Sequence, residues 1–482
     1  MAAGLAGCGT TTYFAGRVLP PSGISNRVVI AIQNPSAFTK GALEIVDAYY
    51  DQRSGYRGQP PAFSLSGYGG ALPVSIQSMP EEQQAAIYGS SDGSLALASY
   101  QTEKTTGTVS GLNGLSSSVF VVRNGKYAFA ASQSSHVFTV VNSSIGSSYP
   151  LSLPGVYRVS VNPGGTMALA FVQNSNYVYY PRQLTTAQTL SYSGGPSTWP
   201  KAAVDCEPQN APGWCLFQAQ SPDQVDATGN FYGAPLVFDR PVKAVFSADG
   251  STAYVLNCGP ECGGTNASIS LLPVAPTIFP LGQQSGLLPC NAAPCANSHA
   301  VPITSIPIPG GASNALVTTS TMYVVGQRLM PDGYFGGFLT VLNLTNNTIV
   351  PSTGSSPNPV SISDGIPGGV SRMLQADDNT LWIGMTKCNQ GERFYNNQPY
   401  GCLTMYNTST SEVVLLEPYA GDGTGIAAVT GLHKIYSVQG GQVYIESTKD
   451  GSAIDNQFVT VTGTAYDVAY MDAVTDTNNT VY

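Results

Sequence analysis

The sequence predicts an all-β chain closed into a ring, a β-propeller of eight four-stranded blades with seven as the alternative. Three observations predict it. Charged residues make up only 10% of the 482 residues, while Gly (53), Pro (34) and Tyr (27) are abundant; that suits many short strands joined by tight turns and leaves little for amphipathic helices. The stretch PVKAVFSADGSTAYVLN, residues 241–257, reads as strand, Asp-Gly turn and strand, because β-branched and aromatic residues come in short runs broken by turn formers. The same pattern recurs along the chain at spacings of roughly 40 to 65 residues, the period of propeller blades.

The copies follow in order. Residues 27–67 hold RVVIAIQN, ALEIVDAY and PAFSLSG, three strands rather than four. The second copy spans Pro73 to Leu112, the third Ser118 to Pro154, and the fourth opens at Tyr157 and runs to Gln183. The fifth starts at Pro241, the sixth spans Ser313 to Ser352, and the seventh and eighth begin with VSRMLQADDNTLWIGMTKC and GIAAVTGLHKIYSVQGGQVYIES. A last fragment, AYDVAYMDAV (Ala465 to Val474), is a first strand without partners. It supplies what the first copy lacks, so the ring is expected to close by pairing C-terminal with N-terminal strands and thereby remove an exposed sheet edge. Residues 27–482 are therefore expected to form a single domain.

Between the fourth and fifth copies the pattern stops. Residues 194–233 are rich in Pro, Gly, Asn and Gln and carry Trp199, Trp214, Cys206 and Cys215. This segment is expected to be a disulfide-bearing insertion, either a binding loop or a decoration over a blade edge.

The nine cysteines fall into four local pairs, Cys206 with Cys215, Cys258 with Cys262, Cys290 with Cys295 and Cys388 with Cys402, leaving Cys8 alone. Local pairs in loops predict disulfides and an oxidising compartment. The alternative is a zinc site assembled from Cys258, Cys262, Cys290 and Cys295. Residues 1–26 are expected to be a signal remnant and a flexible polar tether (Gly9 to Asn26); the tether is preceded by Leu5-Ala6-Gly7-Cys8, which resembles a bacterial lipobox with Cys8 as the lipid attachment point. Seven residues precede Cys8, fewer than a signal peptide needs, which implies a start upstream of Met1 or a trimmed signal. The expected setting is extracytoplasmic, lipid-anchored to the bacterial envelope, at the cell surface or in the periplasm.

The repeat FSADGSTAYVLN (Phe246 to Asn257) is similar to YVTN-type β-propeller repeats, and SVNPGGTMALAF, VRNGKYAFAA and QADDNTLWIG resemble it more loosely. Such repeats occur in YncE-like extracytoplasmic proteins and in lactonase-type propellers. The resemblance implies a propeller fold and an extracytoplasmic setting, and it implies little about chemistry because propellers host many functions.

The functional inventory is short. A net charge of −9 with no basic cluster argues against nucleic acid. No apolar run reaches the 18 residues of a membrane span. His136, His299 and His433 lie in different copies without metal-ligand spacing. Gly89-Ser90-Ser91-Asp92-Gly93 fits G-x-S-x-G but links two short strands, so it is a hairpin turn rather than a nucleophile elbow. Asp377-Asp378-Asn379 and Asp422-Gly423 are turn chemistry, and no cofactor or metal is implied. Aligning the copies on their turns brings Ser118, Arg158, Lys243 and Ser371 into corresponding places, with Asn314 and Arg372 close by. Arg158, Lys243, Asn314 and Arg372 are thus the candidate ligand-binding residues of the central channel, or else they neutralise buried carbonyls there. Tyr177, Tyr179 and Tyr180, with Trp199, are candidates for stacking on sugars or for filling space between sheets. The expected role is non-catalytic binding of a protein partner or polysaccharide. A lactonase- or lyase-type enzyme is the first alternative and a structural envelope component the second.

Overall fold

The strand Arg27–Gln33 is buried along nearly its whole length, because it has a neighbouring sheet on each face. Val28, Ile30 and Ile32 pack with Ala427 and Val429 on one side, while Val29 and Ala31 pack with Ile76 and Ile87 on the other. The same arrangement holds all round the molecule. A computed structural model describes residues 17–475, apart from positions 37, 39, 66, 124, 145, 332 and 460 and the segments 53–62, 113–114, 200–202, 210–211, 220–223, 226–230, 233–234, 275–303, 354–355, 364–368, 387–400 and 417–420. Eight blades form the ring, and eight apolar clusters each fill one interface between consecutive blades. Alternating side chains reach opposite faces of a strand, so a blade with neighbours on both sides needs apolar residues at every position.

The innermost strands, taken around the ring from blade 1 to blade 8, are Thr464–Tyr470, Pro73–Met79, Ser118–Val121, Val156–Val161, Pro241–Phe246, Asn314–Val317, Val370–Ala376 and Gly423–Val429. Each begins at one end of the central channel and leads into an antiparallel meander. The Asp249-Gly250 turn lies at the opposite end. There Asp249 accepts from Ser247 Oγ (2.6 Å), Ser251 N (3.0 Å) and Ser251 Oγ (2.9 Å), and these bonds hold its carboxyl down at about 2. Gly250 takes a φ of 69° in this turn, a left-handed conformation that glycine adopts without a Cβ penalty.

Blade 4 departs from the plain meander. After Val178–Gln183 the chain enters the helix Thr186–Tyr192, capped by reciprocal bonds between Thr185 and Gln188. It then forms Ala203–Glu207 and Trp214–Gln218, and it is Trp214–Gln218 that pairs with Val178–Gln183. Ala203–Glu207 becomes a fifth, outermost strand, stapled to its neighbour by the Cys206–Cys215 disulfide directly across the pair.

Closure is made by Thr464–Tyr470, which pairs antiparallel with Arg27–Gln33. A buried ion cluster locks it. The Arg27 guanidinium donates to both Asp472 oxygens at 3.0 and 2.6 Å and to Glu103 at 2.9 Å; the Arg27 N–H donates to Asp472 at 2.7 Å. Glu103 in turn accepts from the Ser22 N–H and hydroxyl. One arginine thus ties the first strand, the end of the last strand and blade 2 together.

Removing one member of a buried ion cluster leaves the rest uncompensated, which typically costs about 3–5 kcal/mol. Arg27→Met is therefore expected to lower unfolding free energy by about that much, read as a shifted urea midpoint. A second test concerns Glu446, which is buried and accepts from Ser437 Oγ (3.0 Å) and Gln439 Nε2 (3.2 Å). Burial, outweighing those bonds, pushes its carboxyl up to about 8. The unfolded chain releases this proton near 4.5 while the fold retains it to about 8, so stability falls as pH rises through that window. Glu446→Gln is expected to raise the thermal midpoint at pH 8 and to leave it nearly unchanged at pH 4.

Candidate functional site

Six of the eight innermost strands carry a register shift near their first residues, at Pro73/Ser75, Val156/Arg158, Pro241/Lys243, Val370/Arg372 and Gly423/Gly425, and where Asp467 meets Ala31. A bulge re-aims the side chain beside it. In blades 3 and 6 the strand simply starts at the matching place, with Ser118 opposite Ala131 and Asn314 opposite Val325. The ring of corresponding residues is therefore Asp467, Ser75, Ser118, Arg158, Lys243, Asn314, Arg372 and Gly425. Register sets Arg372, and not Ser371, in the place of Arg158 and Lys243.

Much of this ring ties blade to blade. Asp467 accepts from Ile76 N (2.8 Å), Ser118 Oγ from Val159 N (3.2 Å), and Ser160 Oγ from Ala244 N (3.1 Å). Gln77 both donates to and accepts from the Val121 backbone, at 2.6 and 2.7 Å. Ser371 Oγ donates to the Gly423 carbonyl. Lys243 Nζ donates to Asn314 Oδ1 at 2.8 Å, making the link from blade 5 to blade 6.

The charges are unevenly placed. Arg372 Nη2 meets Asp467 Oδ2 at 3.4 Å, reaching across blade 8, where the ring residue is Gly425. A Cβ on Gly425 would lie 2.6 Å from Asp467 Oδ1, so a side chain there would displace the carboxylate. Among the described residues, Lys243 has no carboxylate in contact with it. It is only 2% exposed, and burial, then the charge of Arg158, then that of Arg372 push its amine well below the usual lysine range. Arg158 is half-buried, with its guanidinium 5.6 Å from the Tyr157 ring centroid. Among the described residues it makes no hydrogen bond or ion pair. Among the described ring residues, three basic groups thus stand with one carboxylate, on the side of the ring facing the small Ser75 and Ser118.

The cysteine pairs Cys206–Cys215 and Cys258–Cys262 are disulfides, so Cys258 and Cys262 do not supply zinc thiolates. Cys402 is also disulfide-bonded. Cys8, Cys290, Cys295, Cys388 and His299 lie outside the described residues. These disulfides fit an oxidising compartment, and among the described residues no helix is long and apolar enough to cross a membrane. His136 accepts weakly from Gly155 N at 3.5 Å and His433 contacts Asp378 at 2.8 Å. Gly89 ends one strand and Leu95 opens the next, so the Ser91 motif is a hairpin turn. Tyr180 stacks on Phe217 at 5.5 Å inside the interface of blades 4 and 5, and Tyr179 packs between blades 3 and 4; only Tyr177 is exposed.

Asp467 and Ser75 are missed by alignment on the turns, whose lengths differ from blade to blade. Alignment on the strands finds them: PVKAVF, VYRVSV, VSRMLQ, PVSIQS and AYDVAY all carry the ring residue at their third position.

No protein-family profile and no curated protein matches the chain. Among solved structures it is similar to Kuenenia stuttgartiensis hydrazine synthase, at 12% identity over 79% of this chain and 96% of that one, with a TM-score of 0.44. It is similar to the β-propeller domain of Swd1 from Myceliophteria thermophila, at 11% identity over 77% and 94%, TM-score 0.43. It is also similar to the dihydro-heme d1 dehydrogenase NirN, at 11% identity over 93% and 75%, TM-score 0.49. None of these likenesses carries an activity to this chain.

The depressed Lys243 amine has a stability consequence. The unfolded chain binds this proton over a pH range in which the fold does not, so the group costs stability below the ordinary lysine pKa and the cost fades as pH rises through that value. Lys243→Met is expected to raise the thermal midpoint at pH 6, with the gain shrinking by pH 10.5. A midpoint lowered at both pH values would mean that the link to Asn314 outweighs the burial of the amine.

Proposed function

We propose that this chain is a non-catalytic recognition propeller of the bacterial cell envelope, binding a polysaccharide or protein partner at the channel end lined by Arg158, Lys243, Asn314 and Arg372. The observation that carries the reading is the surplus of buried and half-buried basic groups on one side of the ring. Buried charges are normally paired, and Arg158 and Lys243, which among the described residues have no carboxylate partner while resting on a rigid scaffold, are suited to hold a ligand. The repeat resemblance to YVTN-type extracytoplasmic propellers and the disulfides support an exported protein. Cys8 is the proposed lipid attachment, which would leave the propeller otherwise soluble.

A lactonase- or lyase-type activity is the second reading, and one observation favours it. Such chemistry needs a base or nucleophile beside the cations, and a lysine whose amine is pushed well below its usual range by burial next to other basic groups is one way to supply it. Hydrolysis of a lactone panel, lost in Lys243→Met, would replace the binding reading with this one.

The test of the first reading is binding of residues 9–482 to envelope polysaccharides and to a membrane extract, beside Arg158→Ala. Saturable binding that weakens at least tenfold in Arg158→Ala, about 1.4 kcal/mol, is the expected result. Binding unchanged by the substitution would move the site away from the channel.

A further inference from the structure

The ring has a chemical bias that narrows what it holds. Around the channel end, blades 4 and 5 contribute Arg158 and Lys243, blade 6 an amide from Asn314, and blades 2 and 3 only the hydroxyls of Ser75 and Ser118. The remaining arc closes on itself: Arg372 is directed to Asp467, and Gly425 leaves the room for that contact. The ring therefore divides into a neutralised arc over blades 7, 8 and 1 and a cationic arc over blades 4 and 5, flanked by small polar side chains.

Resting on the binding reading above, we infer that the cationic arc takes the carboxylate of a uronic-acid-bearing saccharide, with Arg158 and Lys243 on the carboxylate and Ser75, Ser118 and Asn314 beside the sugar hydroxyls. A carboxylate matches the planar fork of a guanidinium. A uronic acid also sets one anion among several hydroxyls, as the ring sets its cations among hydroxyls and an amide. A neutral saccharide would leave the cations of this arc without a counterion.

The inference includes a proton. Lys243 faces Arg158 from blade 4, Asn314 from blade 6 and the charge of Arg372 from blade 7, with Asp467 beyond Arg372; Tyr157 is the other titratable group nearby, its hydroxyl donating to the Val242 carbonyl at 3.3 Å. An anion placed between Arg158 and Lys243 offsets the repulsion that adds to burial in pushing the amine well below the usual lysine range. The amine then takes a proton from solvent as the carboxylate arrives, giving an ammonium–carboxylate pair, and no other bond changes. Affinity is accordingly expected to weaken as pH rises through the range between the amine's pKa in the free and in the bound protein.

Isothermal titration calorimetry with tri-galacturonate, maltotriose and a tri-aspartate peptide, in two buffers of different ionisation enthalpy, tests this on residues 9–482. The expected result is saturable binding of tri-galacturonate alone, uptake of up to about one proton per ligand, loss of binding in Arg158→Ala, and loss of the proton uptake with residual binding in Lys243→Met. Thermal midpoints of both variants check that they fold. Equal binding of maltotriose, binding of the peptide without the uronate, or uronate binding without proton uptake would each overturn the inference. If tri-galacturonate fails while an envelope extract still binds in an Arg158-dependent way, the uronate assignment falls and the binding reading stands. If neither binds, both fall.

Discussion

Everything in this molecule depends on closing the ring. A blade of this kind has two apolar faces, and each is buried only if a neighbour stands against it. An open array would leave two such faces in water, at roughly 25 cal/mol for each Å² of apolar area. Closure turns eight marginal sheets into eight mutually buried ones, and the seam between the first and last strands is the place where it must be enforced. The Arg27 cluster sits on that seam. Its desolvation is offset because its members bond to one another as well as to backbone groups, and it specifies which strands meet. Asp51 adds a second fastening beside it, accepting from Lys434 and Tyr436 of blade 8.

The channel end uses the same economy of polar bonds for two purposes. Ser118, Ser160, Gln77 and Asp467 satisfy backbone groups of the neighbouring innermost strand, which buried N–H groups require. Lys243 takes part in that belt through Asn314, yet it is a poor choice for the task, since a second amide or a serine would make the bond without carrying a charge into a dry site.

Much of the architecture was legible in the residues. Runs such as RVVIAIQ and TAYVLN, broken by turn formers, announce strands buried on both faces, and the unpaired AYDVAY announces the closure. The outer part of blade 4 was not legible in this way. Trp214–Gln218 pairs with Val178–Gln183 across an intervening helix and strand, and pairing out of chain order leaves no local signature. The candidate site was half legible. Arg158 and Lys243 stand out because basic residues are scarce inside strands, whereas Asp467 resembles any turn-prone aspartate until the register is known. Gly425 gave no signal at all, because its contribution is the space it leaves for Asp467.

The seam also bears on how the chain is made. Arg27 leaves the ribosome long before Thr464, and at ordinary synthesis rates the interval is about 20 to 90 s. Throughout it, blade 1 lacks its innermost strand, and the face carrying Val28, Ile30 and Ile32 lacks the blade that covers it. Blades 2 to 7 can assemble against one another in order of emergence, but the first blade must wait for the last. The nascent chain therefore carries an incomplete apolar sheet for most of its synthesis, a burden set by where the ring is joined rather than by how stable it is once joined.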